Sequence, residues 1–554
     1  MGVTRMRLRR ASISVVAVLM GSTSIVALST QGADGASSKV RSGSPDVSLS
    51  SHSSGSTCSG KPVSGGSLVY ARGTSTETLD PWAILNGNGD IFADDLIYQG
   101  LVGFNSKGLN QVIPAIAKSW TISPNGLTYT FHLRPGVKFS NGQPVTAQDV
   151  AWSLNQFGNP KINSVMAVLS VGYHHASVVN SSTVEITLTH PVTAFLNDIA
   201  TFPAVVLPQK LVTSEGASFW KHPVGSGPFS LQTFESGSHV TFVRNKYYWD
   251  KPLPYLNKVT FNFALDSNSR MLDLQSGEAQ IADLITPSQI PTIQSSKSLV
   301  LAQQKIPLWI SIFPNEKYKP LANVDVRLAM SDAIDRKTII KEIFHGIGTV
   351  PNSVIGQLKF DGSNSQVPPY KYDVTEAKKL MAEAGYAKGF NVTLQYPVGF
   401  DYFSQLGLLV KQELGAIGVN VTLVPVATTT LTSNWSLMKY QLTFFGTEIS
   451  SDIPLPDEYA QFLSDPTSSG IDGFFTGWKD QKIWTMVQKF TSTTSNASRA
   501  QQWPKIQEAL MKQQPGINVM DLPILTAHAN NFCGADVNIL GVDQLQNTWI
   551  SSSK

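Results

Sequence analysis

The sequence predicts a mixed α/β protein with more than one domain, and three observations lead to that prediction. The chain has 554 residues, enough for two or more domains with substantial cores. Hydrophobic residues make up 42% of the chain and aromatic residues 9%, as is typical of globular proteins. Short period-two segments alternate with amphipathic segments, which indicates strands and helices within the same domains.

Charge and composition exclude one class of partner. Charged residues make up only 15% of the chain, against about 25% in an ordinary soluble domain. The formal net charge is +3, and no run rich in Lys or Arg occurs after residue 10. Because nucleic-acid binding requires a basic surface, we expect no nucleic-acid partner.

The N-terminus has the pattern of an export signal. Four arginines within the first ten residues precede an apolar stretch over 11–28, and small residues follow it. We predict a signal peptide over 1–33, with cleavage near Ser29, Ala33 or Ala36; the alternative is an uncleaved anchor helix. No second apolar stretch is long enough to span a membrane, so we expect an exported and otherwise soluble protein.

A Ser/Gly-rich segment over 34–65 is predicted to be a flexible linker, and the folded body is predicted to begin at Gly66. Within the linker, Gly55–Lys61 mimics a phosphate-binding loop. Pro62 stands where that loop needs Ser or Thr, and no strand precedes it. We therefore reject a phosphate site there.

The most informative stretch is Ala117–Leu154. Its segment Leu127–Leu133 alternates β-branched and aromatic residues with others, which predicts a half-buried strand. Val137–Phe139 is predicted to be a short second strand. A helix then begins after Thr146, whose hydroxyl can accept from the Asp149 amide, and it continues to the end of the stretch.

This stretch also resembles the family 5 extracellular solute-binding proteins, the peptide- and nickel-type receptors of ABC importers. The resemblance is carried by the run SWTISPNGLTYTFHLRPGVKFSNGQPVTAQDV over 119–150. Similar family blocks occur at 223–229, 245–249, 323–336 and 372–386. The block from Asn323 through Arg336 is predicted to be one helix, in which Arg327 is a structural ion-pair partner, with a ligand contact as the alternative. With the shorter matches between them, the blocks extend over nearly the whole of the folded body, from Gly66 to Gly541.

The resemblance implies a two-lobed α/β fold, like that of periplasmic binding proteins (type II, class C), with mixed sheets and a discontinuous first lobe. On this basis we expect lobe I over 66–305, including a subdomain at about 105–212, and lobe II over 306–516. The segment 517–554 is expected to return to lobe I.

The resemblance also suggests where ligand contacts lie. Peptide receptors of the family bind the ligand's α-amino group with an Asp that follows a Gly-Trp pair. Counting back from Pro456 gives Asp452, whereas counting forward from Gly446 gives Ser450, so this chain carries a short insertion there. A carboxylate in a cleft suits a cationic amine, although Asp452 as a solvated loop acid is the alternative.

Neighbouring residues complete the predicted site. Thr447 occupies the expected Trp position, Glu448 is a second carboxylate, and the loop after the Asp80-Pro81 pair is expected to touch ligand. Trp435 is a further candidate, with a core position as the alternative. The predicted ligand contacts are Asn86, Gly87, Trp435, Gly446, Thr447, Glu448 and Asp452.

One departure from the family bears on the ligand. Family members that bind short peptides can hold the ligand carboxylate with an Arg, and no matching Arg occurs in 428–445. A longer peptide, or another amine-bearing or apolar solute, therefore stays open beside a free di- or tripeptide.

The two cysteines, Cys58 and Cys533, allow three interpretations. Family members often carry a lipid on an N-terminal cysteine, but polar residues precede Cys58, and it lies far beyond the apolar stretch, so a lipid anchor is doubtful. A disulfide is the second interpretation, because export favours oxidation and both termini belong to one lobe of the family fold. Two unrelated thiols are the third.

The sequence contains no pattern for catalysis, and we expect no enzyme, no cofactor and no metal. It has neither a G-x-S-x-G elbow nor an H-E-x-x-H pair. The only adjacent histidines, His174 and His175, are predicted to lie on a polar strand edge, where neighbours point to opposite faces.

The expected function is that of a monomeric receptor, extracellular, cell-surface or periplasmic, that captures peptides between its lobes. It would deliver them to the permease subunits of an ABC importer. Two alternatives use the same fold: binding of a non-peptide solute, such as a nickel chelate, a sugar or another amine-bearing compound, and service as a sensory receptor. An exported hydrolase is a third alternative, which the absence of catalytic patterns disfavours.

Overall fold

The structure is a computed structural model. It describes residues 58, 61–84, 87–105, 111–162, 167–354, 367–398, 400–446, 460–461, 463–466, 475–534, 536–538 and 540–551.

The strands, in chain order, are β1 (Ser67–Arg72), β2 (Val102–Phe104), β3 (Val112–Pro114), β4 (Ala117–Ile122), β5 (Thr128–Leu133), β6 (Tyr173–Asn180), β7 (Thr183–Leu188), β8 (Phe229–Glu235), β9 (His239–Arg244), β10 (Lys258–Phe263), β11 (Ile281–Ala282), β12 (Leu299–Pro314), β13 (Phe390–Pro397), β14 (Val419–Val426), β15 (Leu442–Phe445), β16 (Ile517–Ala529), β17 (Phe532–Cys533) and β18 (Trp549–Ile550).

The α-helices are α1 (Asn88–Ile97), α2 (Ala147–Phe157), α3 (Phe195–Asp198), α4 (Gln209–Glu215), α5 (Ser267–Ser276), α6 (Ile290–Ser295), α7 (Val324–Asp332), α8 (Arg336–Glu342), α9 (Val374–Glu383), α10 (Asp401–Gly415), α11 (Thr428–Ser436), α12 (Gln481–Thr491) and α13 (Asn496–Gln513). Short 3-10 turns cover Ala167–Ser170, Phe202–Ala204, Gly216–Lys221, Pro287–Gln289 and Leu545–Asn547.

A mixed sheet of ten strands runs through the molecule in the order β14-β13-β15-β12-β16-β11-β1-β10-β9-β8. Its two longest members, β12 and β16, pair antiparallel from Leu299 opposite Ala529 to Ile312 opposite Ile517. Their ladder is interrupted between Gln304 and Leu308. The molecule has two hydrophobic cores, and the chain passes between them through β12 and β16.

The two cores define two lobes, which confirms the predicted fold class. The first lobe packs β1, α1, β5, α2, β9 and β10 around one core, which also includes Phe532 and Leu545 from the C-terminal segment. This lobe is therefore discontinuous in sequence. The second lobe packs α7, α8, α10 and β13 to β15 around the other core. A layer formed by α12 and α13 packs with Trp309 of β12 in a separate cluster.

The predicted boundaries between the lobes fall at β12 and β16, which pass from one lobe to the other and are called the crossing strands below. The boundary after residue 305 lies within β12, and the one after residue 516 lies directly before β16. The predicted subdomain at about 105–212 includes a separate four-stranded sheet with the order β4-β5-β7-β6. The exact limits of each lobe stay predictions.

Within Ala117–Leu154, the predicted first strand and helix cap are confirmed, and the predicted second strand is wrong. The first predicted strand is present as β5, and Thr146 caps α2 by accepting from the Asp149 amide at 3.1 Å. The second predicted strand is wrong, because Val137–Phe139 forms only an isolated bridge, from Lys138 to Pro144. The segment turns back on itself at Gly142, whose φ is +89°, and Pro144 has no amide hydrogen to extend the pairing beyond this bridge.

The helix predicted from Asn323 through Arg336 is interrupted. It ends at Asp332, and a new helix begins at Arg336 with Asp335 as its N-cap. The Asp335 carboxylate accepts from the Thr338 amide at 3.2 Å and from its hydroxyl at 2.8 Å. An Asp that bonds the following turn competes with helix continuation, and this explains the break.

Cys58 and Cys533 form a disulfide, with 5.8 Å between their Cα atoms. Because the Cys58 sulfur is bonded to Cys533, it carries no thioether-linked lipid in this structure. The disulfide interpretation therefore holds over the two others. Among the helices of the described segments, none has both the length and the apolar character needed to cross a bilayer.

Candidate functional site

The predicted ligand contacts fall into two groups. Asn86, Thr447, Glu448 and Asp452 lie outside the described residues. Gly87, Trp435 and Gly446 lie within them, so the structure shows how the chain is held on either side of the predicted site: before α1 in the first lobe and after β15 in the second.

The loop that connects β1 to α1, called the first-lobe loop below, begins at a buried ion pair. Arg72, at the end of β1, is 2% exposed, and its Nε lies 2.7 Å from Asp283 Oδ2. The other oxygen of Asp283 accepts from the Gly73 amide at 2.7 Å. The Arg72 guanidinium also stacks over the Phe92 ring, 3.9 Å from its centre. One carboxylate thus fixes both the side chain that ends β1 and the first peptide of the loop.

The loop is also tied to the start of α1. Asp90, fully buried in the first turn of that helix, accepts from the backbone amides of Glu77 and Thr78 at 2.6 and 3.1 Å. The Thr76 hydroxyl donates to Gly89 O at 2.7 Å. Gly87 stands at the N-cap of α1 with a φ of +43°, a conformation that suits glycine. The loop is therefore held at both ends by carboxylates.

Two further carboxyl groups near this loop, those of Asp80 and Asp94, lie in a setting that opposes their ionisation. Burial raises the pKa of Asp80 to about 6, although a hydrogen bond from the Trp82 amide at 3.0 Å acts in the opposite direction. Burial raises the pKa of Asp94 well above its usual range, and the charges of Asp90 and Asp80 add to the effect. Asp94 therefore favours its neutral, protonated form, and Asp80 keeps its proton to a higher pH than an exposed aspartate does.

On the second-lobe side, Gly446 follows β15 with a φ of +97°. A Cβ placed on it would lie 1.8 Å from the carbonyl oxygen of Trp309 in β12. Only glycine fits at this point, because both its conformation and its space exclude a side chain. The chain therefore leaves β15 pressed against one of the crossing strands.

Aromatic rings fix the end of β15 next to Gly446. The ring of Phe445 stacks on that of Phe313, with 4.4 Å between their centres and 9° between their planes. The Trp435 ring lies 5.0 Å from Phe445 on another side, and its Nε1 donates to Thr443 Oγ1 at 2.9 Å. Trp435 is half-buried, so it combines structural contacts with a partly exposed ring.

The structure thus brings Trp435 and Gly446 together through Phe445. Among the described residues, no hydrogen bond or ring contact joins Gly87 to either of them. Sequence reasoning missed Arg72 and Asp283, which are 211 positions apart in the chain and carry no local signal of pairing.

Two further expectations concern charged residues. Arg327, predicted to be a structural partner, is 2% exposed and lies 3.1 Å from Glu316 Oε1. Its guanidinium also donates to the carbonyls of Leu321 and Gln513 at 2.9 and 2.7 Å, so its role is structural. The described residues include no group of three or more His, Cys, Asp or Glu side chains arranged to hold a metal.

Comparison with known proteins agrees with this architecture. The family model of the bacterial extracellular solute-binding proteins, family 5 Middle, matches residues 111–470. The glutathione-binding protein GsiB of Pectobacterium atrosepticum is 32% identical over 358 residues, which are 64% of this chain and 68% of that protein.

Solved structures show the same fold. CtaP of Listeria monocytogenes, an ABC transporter substrate-binding protein, superimposes with a TM-score of 0.78 at 24% identity, over 88% of this chain and 100% of that one. DppA of Helicobacter pylori, in complex with the peptide STSA, gives a TM-score of 0.77 at 24% identity, over 88% of this chain and 99% of that one.

Proposed function

Because the chain belongs to the family 5 bacterial extracellular solute-binding proteins, we propose that it captures peptides between its two lobes and delivers them to an ABC importer. The similarity to glutathione-binding proteins carries this proposal, since glutathione is a modified tripeptide. The chain is a binding protein and not an enzyme.

The architecture supports capture by closure. The two lobes are connected through β12 and β16, whose ladder is interrupted between Gln304 and Leu308. An irregular pair of crossing strands allows one lobe to rotate against the other, and closure then buries the solute between them. Rotation about this pair would move the loop before Gly87 towards or away from Gly446.

The proposed contacts follow from charge. Asp452 is the residue expected to pair with the ligand's α-amino group, and Glu448 is a second candidate carboxylate close to it in the sequence. A buried carboxylate and ammonium bind strongly when they are paired, and either group alone is costly to desolvate.

The remaining parts of the proposal are export and a monomeric state. The disulfide between Cys58 and Cys533 supports export, since such bonds persist in oxidising compartments. Size-exclusion chromatography with light scattering on the purified protein tests the monomer. A dimeric mass at micromolar concentration would contradict it.

Native mass spectrometry of the purified protein tests the ligand class. We expect a co-purified peptide, and micromolar binding of glutathione or trialanine by calorimetry. A co-purified sugar or metal chelate, without binding of any peptide probe, would overturn the proposal and favour the non-peptide alternative.

Site variants then test the contacts. Asp452→Asn should weaken binding of a peptide with a free α-amino group by about 100-fold, because it leaves the ammonium unpaired. The N-acetylated form of the same peptide is the matched control, because it lacks the charge and should bind both forms of the protein equally. Glu448→Gln should have the smaller effect; the reverse order would assign the contact to Glu448.

A further inference from the structure

A short segment of the first lobe makes hydrogen bonds and apolar contacts with the second lobe. We propose that this strap, defined here as Pro191–Ala194, holds the lobes closed through Thr193 and so sets how slowly a bound solute is released. The inference rests on the proposed function for its solute, but the contact itself does not depend on the kind of solute.

The strap belongs to the first lobe. It follows β7, which ends at Leu188, and leads directly into α3. The first residue of α3, Phe195, is fully buried in the core of the first lobe and lies 4.8 Å from the Tyr129 ring of β5. The strap therefore moves with the first lobe whenever the lobes rotate.

Its polar contact reaches across to the second lobe. Thr193 Oγ1 lies 3.0 Å from Thr491 O and 3.2 Å from Thr493 O, partners 298 and 300 positions away in the chain. Thr491 is the last residue of α12, and the last carbonyls of a helix have no partner within it. A hydroxyl has one proton, so Thr193 shares its hydrogen bond between the last carbonyl of α12 and the carbonyl of Thr493, two residues beyond the helix.

Its apolar contact lies beside the polar one. Ala194 is 7% exposed and belongs to the cluster formed by α12, α13 and Trp309. Val192 packs against the same cluster. The strap thus buries two apolar side chains of the first lobe against the second, on either side of the hydrogen-bonding hydroxyl.

This contact adjoins the predicted ligand region. Trp309, a member of the cluster, is the residue whose carbonyl oxygen leaves room only for glycine at Gly446. The strap is joined to the second lobe by side-chain contacts, whereas the lobes are joined covalently through β12 and β16. In this proposal, rotation that opens the lobes separates the strap from α12, so the contact belongs to the closed arrangement and Thr193 is a positioning residue.

Thr193→Val tests the inference, because valine keeps the shape of threonine and removes the hydroxyl. We expect release of glutathione or trialanine to be about fivefold faster in stopped-flow measurements, with a nearly unchanged association rate. Thr193→Ser keeps the hydroxyl and should restore slow release. Thr189→Val is the matched control, since that hydroxyl donates to Gly172 O at 3.2 Å within the first lobe.

Small-angle X-ray scattering on the solute-free variants gives a readout that needs no ligand. Thr193→Val should have a larger radius of gyration than Thr189→Val, and equal thermal unfolding temperatures would show that both are folded. Release rates and radii that match those of Thr189→Val would overturn the inference. Failure of every peptide probe to bind, together with the larger radius for Thr193→Val, would reject the peptide proposal and retain the strap.

Discussion

The two regions that flank the predicted ligand site are held by different forces. The first-lobe loop is fixed by buried charge: Asp283 binds Arg72 and the Gly73 amide, and Asp90 binds the amides that follow. The second-lobe region is fixed by contact between uncharged groups, with Gly446 against a backbone carbonyl and Phe445 stacked on a neighbouring ring.

The difference has physical consequences. A buried ion pair depends on both partners, because each charge left alone keeps its full desolvation cost. A close steric contact does not depend on charge, but an added methyl group disrupts it, because protein interiors are close-packed and leave no room for another carbon atom. Changes of charge should therefore disturb the first-lobe region, and changes of volume should disturb the second-lobe region.

The largest effect is expected from Asp283→Asn. The amide keeps an acceptor for the Gly73 amide but leaves Arg72 without its counter-ion, so the free energy of unfolding should fall by about 3–5 kcal/mol. Urea unfolding measures this loss. The control is Glu383→Gln, which removes an exposed partner of Lys379 at 4.0 Å and should cost less than about 0.5 kcal/mol. Similar losses for the two variants would contradict the importance of the buried pair.

A second, smaller effect is expected from Gly446→Ala. Its methyl group would collide with the Trp309 carbonyl and would strain a residue at positive φ, so we expect a loss of about 3 kcal/mol in urea unfolding. Gly415→Ala is the matched control, because a Cβ there meets nothing within 4 Å. That variant should be neutral or slightly more stable; equal losses at the two glycines would show that the close contact is unimportant.

The smallest effect concerns pH and Asp80. Its pKa is about 6 in the folded protein, above the ordinary value of 3.8, so the folded state holds this proton more tightly than the unfolded state does. Its contribution to stability is therefore full below about pH 4 and is lost as the pH rises through 6. Burial also raises the pKa of Asp95 to about 7 and that of Asp543 to about 6, with the same sign.

Asp80→Asn removes one of these three contributions. At pH 7 the variant should be more stable than the wild type by about 1 kcal/mol, a value reduced by the partial exposure of this side chain. The difference should disappear near pH 4, and a series of urea titrations at pH 4, 5, 6 and 7 measures it. Parallel profiles for the two proteins would contradict a raised pKa at this position.

Predictions from sequence succeeded where the stabilising contacts are local. The alternation in β5 and the cap formed by Thr146 and Asp149 depend on residues within a few positions of each other. The prediction failed at Val137–Phe139 although its partner is also local, because that partner contains Pro144, which has no amide hydrogen to extend the pairing into a ladder. At Asp335 a local cap signal was present, but the family block that spans it obscured the break between α7 and α8.

The candidate site was less predictable than the fold. The family pattern pointed to Gly446, and Trp435 was proposed as an aromatic residue nearby; the structure adds why glycine is required and how the indole is held, and contact of either residue with ligand stays a prediction. Arg72, Asp283 and Thr193 were not found, because their contacts join positions more than 200 residues apart.

The sequence by itself determined the family, the two-lobed α/β class and the elements whose signals are local, because each of these depends on residue patterns along the chain. Only the tertiary structure decided between a disulfide and two free thiols, and only it showed the carboxylates that anchor the first-lobe loop and the strap that reaches α12. Those contacts depend on distances in space between segments hundreds of residues apart, and the spacing of residues along the chain does not encode them.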